Sequence, residues 1–355
     1  MSETKKIVIA AGGTAGHVVP ALAVAAALRA EGAEVEFVGG ARAEARLVPA
    51  AGFPLHTISV EGLHRRNPLK ALRALLRAAL AVPRARRLLR RLKPDAVMGG
   101  GGYVAGPVAL AAISLRIPLV LTEADSHLGL TNRLMAPFAK RVCLSFPLPG
   151  REGPRYRVTG RPIPLHEREP VAARERLGIG AEETCVLVFG GSLGARSINR
   201  AAAEGFAGST FHVLHISGRR DYEELRAREL PRGYDLREYL DEPEFADALA
   251  AADLAVARAG GSVFEIAAHG VPAVLVPYPH AAGDHQSANA RWMADGGAAV
   301  VIADGELTAA RLARQVAELL ADRTALAAMA AASRSLARPQ AAREVARELL
   351  EAARG

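Results

Sequence analysis

Three glycine-rich loops, each lying between a short apolar run and a helical pattern, constrain the fold of this chain most strongly. They occupy residues 12–17 (GGTAGH), 99–106 (GGGGYVAG) and 190–195 (GGSLGA). Glycine lets the backbone approach a ligand closely, and the amide groups at the start of a helix attract phosphate. Because each apolar run predicts a strand, we expect all three loops at the carboxyl edges of parallel sheets, where ligands of open α/β folds bind. A plain turn between strand and helix explains one such loop more easily than three.

Short apolar runs and helical patterns alternate along the whole chain, first from KIVIAA to RVCLSF and then from CVLVFGG to AAVVIA. This rhythm predicts an α/β fold with two Rossmann-like parallel sheets, and 355 residues exceed what one hydrophobic core usually serves. Prolines and glycines interrupt the pattern between the two series. We therefore predict a first domain at residues 1–162, a second at 163–337 and a final helix at 338–355 that returns to the first domain. The first glycine loop is expected to lead into a helix from about Pro20 to Glu31.

The two cysteines and the N-terminus indicate the compartment. Cys143 and Cys185 lie far apart in apolar runs, which favours buried reduced thiols over a disulfide or a metal site. The N-terminus lacks the apolar stretch of a secretion signal, and no run approaches the roughly 18 apolar residues of a membrane span. We expect a cytoplasmic protein.

The net charge of +8 is concentrated in one segment, since residues 64–93 carry eleven Lys or Arg and no acid. Leucines recur there at mostly helical spacing, and Pro83 is expected to split the segment into two helices. A basic amphipathic surface attracts anionic lipid headgroups. The expected membrane contacts are Arg73, Leu76, Arg77, Leu80 and Arg84. Alternatively the leucines face the core, whereas nucleic-acid binding is disfavoured because no aromatic residues are interleaved with the bases.

The loop spacings also exclude some chemistries and suggest others. GGTAGH departs from the dinucleotide fingerprint and no P-loop lysine motif is present, which argues against a nicotinamide enzyme and against triphosphate hydrolysis. A fourth loop, RAGGSVFE, places Glu265 one turn inside a helix, where it can bind ribose hydroxyls or simply complement the helix dipole. Gln286 and Asn289 lie three residues apart on one face of a predicted helix. Two amide side chains placed in this way can form hydrogen bonds with sugar hydroxyls.

Taken together, these motifs resemble the MurG family of GT-B glycosyltransferases over nearly the whole chain. The matching segments are GGTAGH, GGGYVAGP, LTEADSHLGLTN, GGSLGARSIN, RAGGSVFEIAAHGVPAVLVPYP and DHQSANA. The resemblance implies two domains that face each other across a cleft, and an inverting transfer of GlcNAc from UDP-GlcNAc to the 4-hydroxyl of the muramoyl sugar of lipid I. It further implies synthesis of lipid II for peptidoglycan at the cytoplasmic face of the membrane, without cofactor or metal. Other cell-wall synthesis or division proteins are conceivable partners.

The resemblance also assigns residues. Those implied for the donor are Thr14, Ala15, Gly16, Asp125, Arg161, Pro164, Ser192, Leu240, Gly261, Ser262, Glu265, Gln286 and Asn289. Those implied for the acceptor diphosphate are Gly13, Gly101, Gly102 and Tyr103. For the base that activates the attacking hydroxyl we prefer His17, whose unperturbed pKa lies near working pH, with Glu123 as the rival. A histidine that only positions a phosphate is the alternative for His17.

The sequence departs from the family pattern at three of these positions. Ala15 replaces a glycine, Asp125 an asparagine, and Pro164 stands where a donor-contacting arginine is usual, although Arg161 lies three residues earlier. Two other functions therefore stay open. One is a UDP-GlcNAc 2-epimerase on a related fold, and the other is a nucleotide-sugar binding protein of low activity that docks on a membrane.

Overall fold

The computed structural model describes residues 4–60, 68–164, 168–191 and 193–354, with the backbone alone for residues 68–76 and 282. The chain forms two compact units, one made of Met1–Pro164 with Arg338–Gly355 and the other of Leu165–Ala337. Each unit is built on one parallel sheet. The prediction of two Rossmann-like α/β domains is confirmed. In the part of the chain that the structure describes, no helix combines the length and the apolar character needed to cross a membrane.

The sheet of unit 1 has seven strands in the order β3-β2-β1-β4-β5-β6-β7. The strands are β1 (Lys6–Ala10), β2 (Glu34–Gly39), β3 (Leu55–Thr57), β4 (Ala96–Gly99), β5 (Leu119–Glu123), β6 (Arg141–Leu144) and β7 (Tyr156–Val158). The helices are α1 (Ala15–Ala30), α2 (Ala43–Ala50), α3 (Pro68–Leu92), α4 (Ala105–Ser114) and α5 (Leu130–Met135), followed by a 3-10 turn at Ala136–Phe138. The chain order reverses between β1 and β4, which is where open α/β sheets bind ligands.

Both faces of this sheet are covered. Along β1, Ile7 and Ile9 face one apolar cluster, and Val8 and Ala10 face the other. This alternation places successive side chains on opposite faces of the strand, as the pleat requires. The unbroken apolar runs of the sequence therefore correspond to strands that are buried on both sides.

Helix α3 corrects one expectation, because it continues through Pro83 and is a single helix. Proline in a helix interior costs about 3 kcal/mol or more. Ala81, Ala85 and Leu89 follow one another at four-residue spacing and are all buried, so one continuous stripe packs against the core on both sides of the proline. That shared packing offsets the cost of Pro83. Leu89 thus faces the core, whereas Leu80 is 66% exposed.

The sheet of unit 2 has six strands in the order β10-β9-β8-β11-β12-β13, and its chain order reverses between β8 and β11. The strands are β8 (Cys185–Phe189), β9 (His212–Ile216), β10 (Tyr234–Arg237), β11 (Leu254–Ala257), β12 (Ala273–Leu275) and β13 (Ala299–Val301). The helices are α6 (Pro170–Leu177), α7 (Arg196–Gly205), α8 (Tyr222–Arg226), α9 (Glu242–Ala251), α10 (Val263–His269), α11 (His285–Asp295), α12 (Ala309–Ala321) and α13 (Arg323–Leu336), with 3-10 turns at Ala282–Asp284 and Asp304–Glu306.

The last helix, α14 (Ala341–Ala352), packs on α1 and on strands of unit 1. Its Glu348 is buried and accepts a hydrogen bond from Arg141 Nε at 2.8 Å. Gly160, with φ +83°, lies where a Cβ atom would be 2.4 Å from Cβ of Arg338, so only a glycine lets the chain pass so close to the segment that leads into α14. Cys143 and Cys185 are both buried free thiols, and burial raises the pKa of each to about 12.

Candidate active site

The first two glycine loops touch each other through their backbones. They follow β1 and β4, which are neighbours in the sheet. Gly102 has φ +77°, and a Cβ atom built on it would lie 1.9 Å from the carbonyl oxygen of Gly12. Gly101 has φ +91°, and a Cβ atom there would lie 2.6 Å from Cδ2 of His17. The structure therefore brings the predicted acceptor loop and the predicted base together in unit 1.

His17 lies in the first turn of α1 and is half-buried. Its Nδ1 atom is 3.2 Å from Oγ1 of Thr14, the residue that precedes the helix. Burial, and then the positive charge of Arg161, hold the pKa of His17 below its ordinary value, while Asp125 opposes them. A lowered pKa keeps the imidazole neutral near pH 7, which is the form that can accept a proton.

Glu123 has a different environment. It is buried at the end of β5, and both carboxylate oxygens accept hydrogen bonds from the loop that follows. Oε1 accepts from the amide of Asp125 at 3.1 Å, and Oε2 accepts from the amide of Gly129 at 2.8 Å and from Nδ2 of Asn132 at 2.9 Å. Burial raises the pKa of Glu123, although these hydrogen bonds oppose the rise. The carboxylate closes this loop onto α5, and its lone pairs are largely occupied.

The side chain of Arg161, which is distant in sequence, contacts the first glycine loop. Helix α1 begins at Ala15, five residues before the expected start, and Pro20 lies inside it. Proline has no N–H group, so the carbonyl of Gly16 loses its usual helical partner four residues later. Nη2 of Arg161 donates to that carbonyl oxygen at 2.7 Å. The guanidinium thus replaces the missing donor, and it lies in unit 1 beside the predicted base.

In unit 2, the third glycine loop rests on the end of β9. Gly194 has φ +77°, and a Cβ atom there would lie 1.9 Å from the carbonyl oxygen of Ser217. Nδ2 of Asn199 donates to the same carbonyl at 2.9 Å and to Oδ2 of Asp221 at 2.9 Å. Oδ1 of Asn199 is 3.1 Å from Nε2 of the buried His215. This polar network holds the segment on which the third glycine loop packs.

The charged end of the network is Asp221, which accepts hydrogen bonds from Arg220 and Arg196. The Arg220 guanidinium is the main reason why the pKa of Asp221 falls to about 2, despite burial. Burial lowers the pKa of His215 to about 4, so its ring stays neutral. None of these residues is predicted from the sequence. SLGARSIN contains Asn199, but spacing alone does not show which way its amide points.

The fourth loop joins β11 to α10 and is held by its own Arg258 and by Asn289 on α11. Nη1 of buried Arg258 donates to the carbonyl of Val276 at 3.0 Å and to Oδ1 of Asp304 at 2.6 Å. Asn289 is only 4% exposed, and its Nδ2 donates to the carbonyl of Ala259 at 3.0 Å. Asn289 therefore holds the fourth loop through Nδ2, and its contact with a sugar stays a prediction.

The remaining predicted donor residues are distributed over both units. Gln286 is half-buried, and its Oε1 accepts from the amide of Tyr278 at 2.8 Å. Leu240 is 7% exposed and precedes Asp241, whose side chain caps α9. The half-buried set is Asp125, Arg161, Pro164, Gly261, Ser262 and Glu265, and the exposed set is Thr14, Ala15 and Gly16. Ser192 lies outside the described residues, as do the side chains of Arg73 and Leu76.

Comparisons with known proteins identify the family of the two domains. The models of the glycosyltransferase family 28 N-terminal and C-terminal domains match residues 7–144 and 185–345. A relative from Moorella thermoacetica is 43% identical over 365 residues, covering 98% of each chain, and is named UDP-N-acetylglucosamine--N-acetylmuramyl-(pentapeptide) pyrophosphoryl-undecaprenol N-acetylglucosamine transferase. The crystal structure of Acinetobacter baumannii MurG has a TM-score of 0.78 at 32% identity, covering 98% of this chain and 100% of that chain.

Fold and site together define a two-domain glycosyltransferase of the GT-B type. The chain belongs to the MurG family within glycosyltransferase family 28. A crystal structure of a UDP-N-acetylglucosamine 2-epimerase also superimposes, with a TM-score of 0.67 at 16% identity over 98% of this chain and 96% of that chain. At that identity the likeness shows the fold alone.

Two glycines of the third loop provide a matched test of its packing. Gly194→Ala and Gly191→Ala both place a side chain at positive φ, which costs about 1–2 kcal/mol each. Among the residues that the structure describes, and apart from the chain neighbours of Gly191, nothing lies within 4 Å of a Cβ atom placed there, whereas a Cβ atom at Gly194 overlaps the Ser217 carbonyl. We expect Gly194→Ala to lose a further 1–3 kcal/mol or so of unfolding free energy, measured by urea denaturation. Equal losses for the two variants would contradict the packing of this loop on β9.

Proposed function

We propose that this chain transfers GlcNAc from UDP-GlcNAc to the 4-hydroxyl of the muramoyl sugar of lipid I, with inversion, and so forms lipid II for peptidoglycan. The observation that carries the proposal is the neutral, half-buried His17 lying against Gly101, where two glycine loops meet. A base beside amide-rich loops suits a hydroxyl nucleophile whose sugar carries a diphosphate. The name of the Moorella relative supports the same reaction.

The proposed chemistry is a single displacement. His17 accepts the proton of the acceptor 4-hydroxyl as that oxygen forms a bond to the anomeric carbon of GlcNAc. The bond from this carbon to the diphosphate oxygen breaks, and UDP departs with the bonding electron pair. Amide groups of the third and fourth glycine loops, which follow β8 and β11, stabilise the charge on the departing diphosphate. The reaction balances without oxidant or reductant.

We assign the base to His17 and not to Glu123. Both oxygens of Glu123 already accept hydrogen bonds from residues 125, 129 and 132, so proton transfer from a substrate would require the loop to open. The Thr14 hydroxyl lies beside Nδ1 of His17, which leaves the other ring nitrogen for the substrate. Glu123 then serves to shape the loop after β5.

We assign the donor to unit 2. Glu265 lies in the first turn of α10, where its half-buried carboxylate suits the two hydroxyls of a ribose. Gln286, one residue into α11, offers Nε2 to a sugar while Oε1 holds the amide of Tyr278. Asn289 acts indirectly in this proposal, by holding the fourth loop. Arg161 lies on the first glycine loop, so we assign it to the surroundings of the base.

We further propose that unit 1 binds the cytoplasmic face of an anionic membrane. Helix α3 contacts α4, and α4 contacts α5. These neighbouring elements and the turn after them expose large apolar side chains, namely Leu80, Leu110, Leu130, Leu134 and Phe138. Exposed bases accompany them on α3, namely Arg84, Arg87, Arg90 and Arg91. On a membrane, the apolar side chains would enter the lipid interface and the arginines would lie beside anionic headgroups. A surface of this kind suits an enzyme whose acceptor is carried on a lipid.

The function is tested by incubating the full chain with labelled UDP-GlcNAc and a short-chain lipid I analogue. We expect a disaccharide-lipid product and stoichiometric UDP release, and a His17→Ala variant should lose most turnover while its affinity for UDP stays close to that of the wild type. Formation of ManNAc without acceptor would support the epimerase instead. Binding of UDP-GlcNAc without turnover would support the low-activity binding protein.

The pH dependence tests the environment of His17. Because its pKa is lowered, the acid limb of kcat/KM should lie below the ordinary histidine value of about 6.5. Arg161→Gln removes a positive charge that lowers this pKa, so the acid limb should move to higher pH and activity near pH 6 should fall relative to pH 8. Arg161→Lys retains the charge and should keep a limb near that of the wild type. Identical profiles for the two variants would rule out this electrostatic coupling.

Leu80 provides a test of membrane binding with a control on the other unit. Leu80 is 66% exposed on α3, and Val171 is 55% exposed on α6. Leu80→Glu should weaken binding to phosphatidylglycerol vesicles about tenfold or more, since a buried leucine contributes roughly 1.5–3 kcal/mol. Val171→Glu adds the same charge and should leave binding unchanged in a flotation assay. Equal effects of both variants would argue against α3 as the membrane surface.

A further inference from the structure

Glu44 is a buried carboxylate that joins three loops of unit 1, and no motif in the sequence identifies it. It lies in the first turn of α2 and is 0% exposed. Its Oε2 accepts from the amide of Gly13 at 2.8 Å. Its Oε1 accepts from the amide of Gly40 at 2.8 Å and from the hydroxyl of Tyr103 at 2.8 Å. One side chain thus connects the first glycine loop, the end of β2 and the second glycine loop.

The surrounding glycines show that the chain is shaped around this carboxylate. A Cβ atom at Gly12 would lie 2.8 Å from Oε1 of Glu44, and one at Gly39 would lie 2.7 Å from its Cγ. At Gly40 a Cβ atom would lie 2.2 Å from the Tyr103 hydroxyl oxygen. Side chains at these positions would displace Glu44 or Tyr103, because their neighbours already fill the space.

The protonation states of the pair are fixed. Burial opposes the charge of Glu44, but the hydrogen bonds from Gly13, Tyr103 and Gly40 outweigh it and hold its pKa below the ordinary value. Burial, followed by the hydrogen bond to Glu44, raises the pKa of Tyr103 to about 12. Near neutral pH the carboxylate therefore stays ionised as an acceptor and the phenol stays protonated as a donor.

The Gly13 amide is already bonded to Glu44, so it cannot also serve a phosphate in this arrangement. This observation modifies the predicted role of Gly13. The Tyr103 ring lies 3.3 Å from a Cβ atom placed on Gly13, so the first loop packs directly on the residue that Glu44 binds. Glu44 itself is too deeply buried to touch a substrate.

We propose that Glu44 is a positioning residue for the acceptor diphosphate, which sets the spacing of the first two glycine loops by holding Gly13 and Tyr103 at once. The inference rests on the proposed function, because it assumes that these loops receive the lipid-linked diphosphate. Glu44 acts only through the loops that it holds. The donor, assigned to unit 2, should not sense its loss.

The test is Glu44→Gln, which keeps the size of the side chain and replaces one acceptor oxygen by a donor group. Whichever way the amide turns, an N–H group then faces the Gly13 amide or the Gly40 and Tyr103 donors, and at least one loop is released. We expect the KM for a lipid I analogue to rise about tenfold while the KM for UDP-GlcNAc stays within about twofold. Glu36→Gln is the matched control, because Glu36 is also a buried carboxylate of unit 1 but pairs with Lys6 and His56.

Hydrogen–deuterium exchange on the free protein supplies a readout that needs no activity. In the Glu44→Gln variant, peptides covering residues 11–17 and 100–104 should exchange faster, whereas in Glu36→Gln they should not. Unchanged exchange in both peptides, or an equal rise of both KM values, would overturn the positioning role. If the amide exchange of the Glu44→Gln and Glu36→Gln variants differs as expected but the wild-type protein makes no lipid II, the proposed function is wrong while the role of Glu44 in holding the loops is retained.

Tyr103→Phe provides a second variant if Glu44→Gln does not fold. It removes one of the three hydrogen bonds and keeps the bond to Gly13. We expect a smaller rise of the acceptor KM, about threefold, and faster exchange in the peptide that contains residues 40–44. Exchange at wild-type level in that peptide would show that the phenol does not link the two loops.

Discussion

The close contact between a glycine α-carbon and a carbonyl oxygen is the constraint on which the glycine loops of both units depend. Gly102 in unit 1 and Gly194 in unit 2 share φ +77°, and a Cβ atom on either would lie 1.9 Å from the carbonyl of Gly12 or of Ser217. Each contact seats a loop against a segment that follows a neighbouring strand, because β4 pairs with β1 and β8 pairs with β9. Because these positions lack a side chain, the backbone of each loop can pack directly on the neighbouring segment. The glycine loops of the two units are therefore held by the same kind of contact.

Much of this architecture is predictable from the sequence, because strand burial and glycine spacing are local properties. The apolar runs at β1 and β8 predict strands covered on both faces, and the loops that follow predict the ligand edge. Proline was misleading at two positions. Pro83 lies within α3 because buried Ala85 and Leu89 continue the stripe, and Pro20 lies within α1 because Arg161, distant in sequence, supplies a donor. Tertiary contacts offset a local penalty in both cases, and a pattern confined to neighbouring residues cannot reveal them.

The direction of a polar side chain was less predictable than its location. Asn289 lies on the helix where the motif places it, but its amide points beneath the fourth loop. Glu123 also lies at its expected strand end, yet its oxygens face inward to the next loop. Glu44 belongs to no recognised motif, and it lies in α2, beyond the glycines that end β2. Gly39 and Gly40 leave room for the Glu44 carboxylate and for Tyr103. This role of the two glycines is visible only in the three-dimensional structure.

The environments of the buried acids also support the proposal that the imidazole accepts the proton. Glu44, Glu123 and Asp221 are each surrounded by donors of their own unit, and a carboxylate that is already hydrogen-bonded to amides, a phenol or guanidinium groups gains little from a substrate hydroxyl. His17 instead has a hydroxyl at one ring nitrogen and a neighbouring positive charge that disfavours the imidazolium. In the proposed reaction that charge makes His17 a weaker base but keeps its imidazole neutral, and a neutral imidazole held against Gly101 needs no reorganisation before the proton moves. We therefore propose that the rigid glycine loops compensate for the modest basicity of His17 by fixing its position.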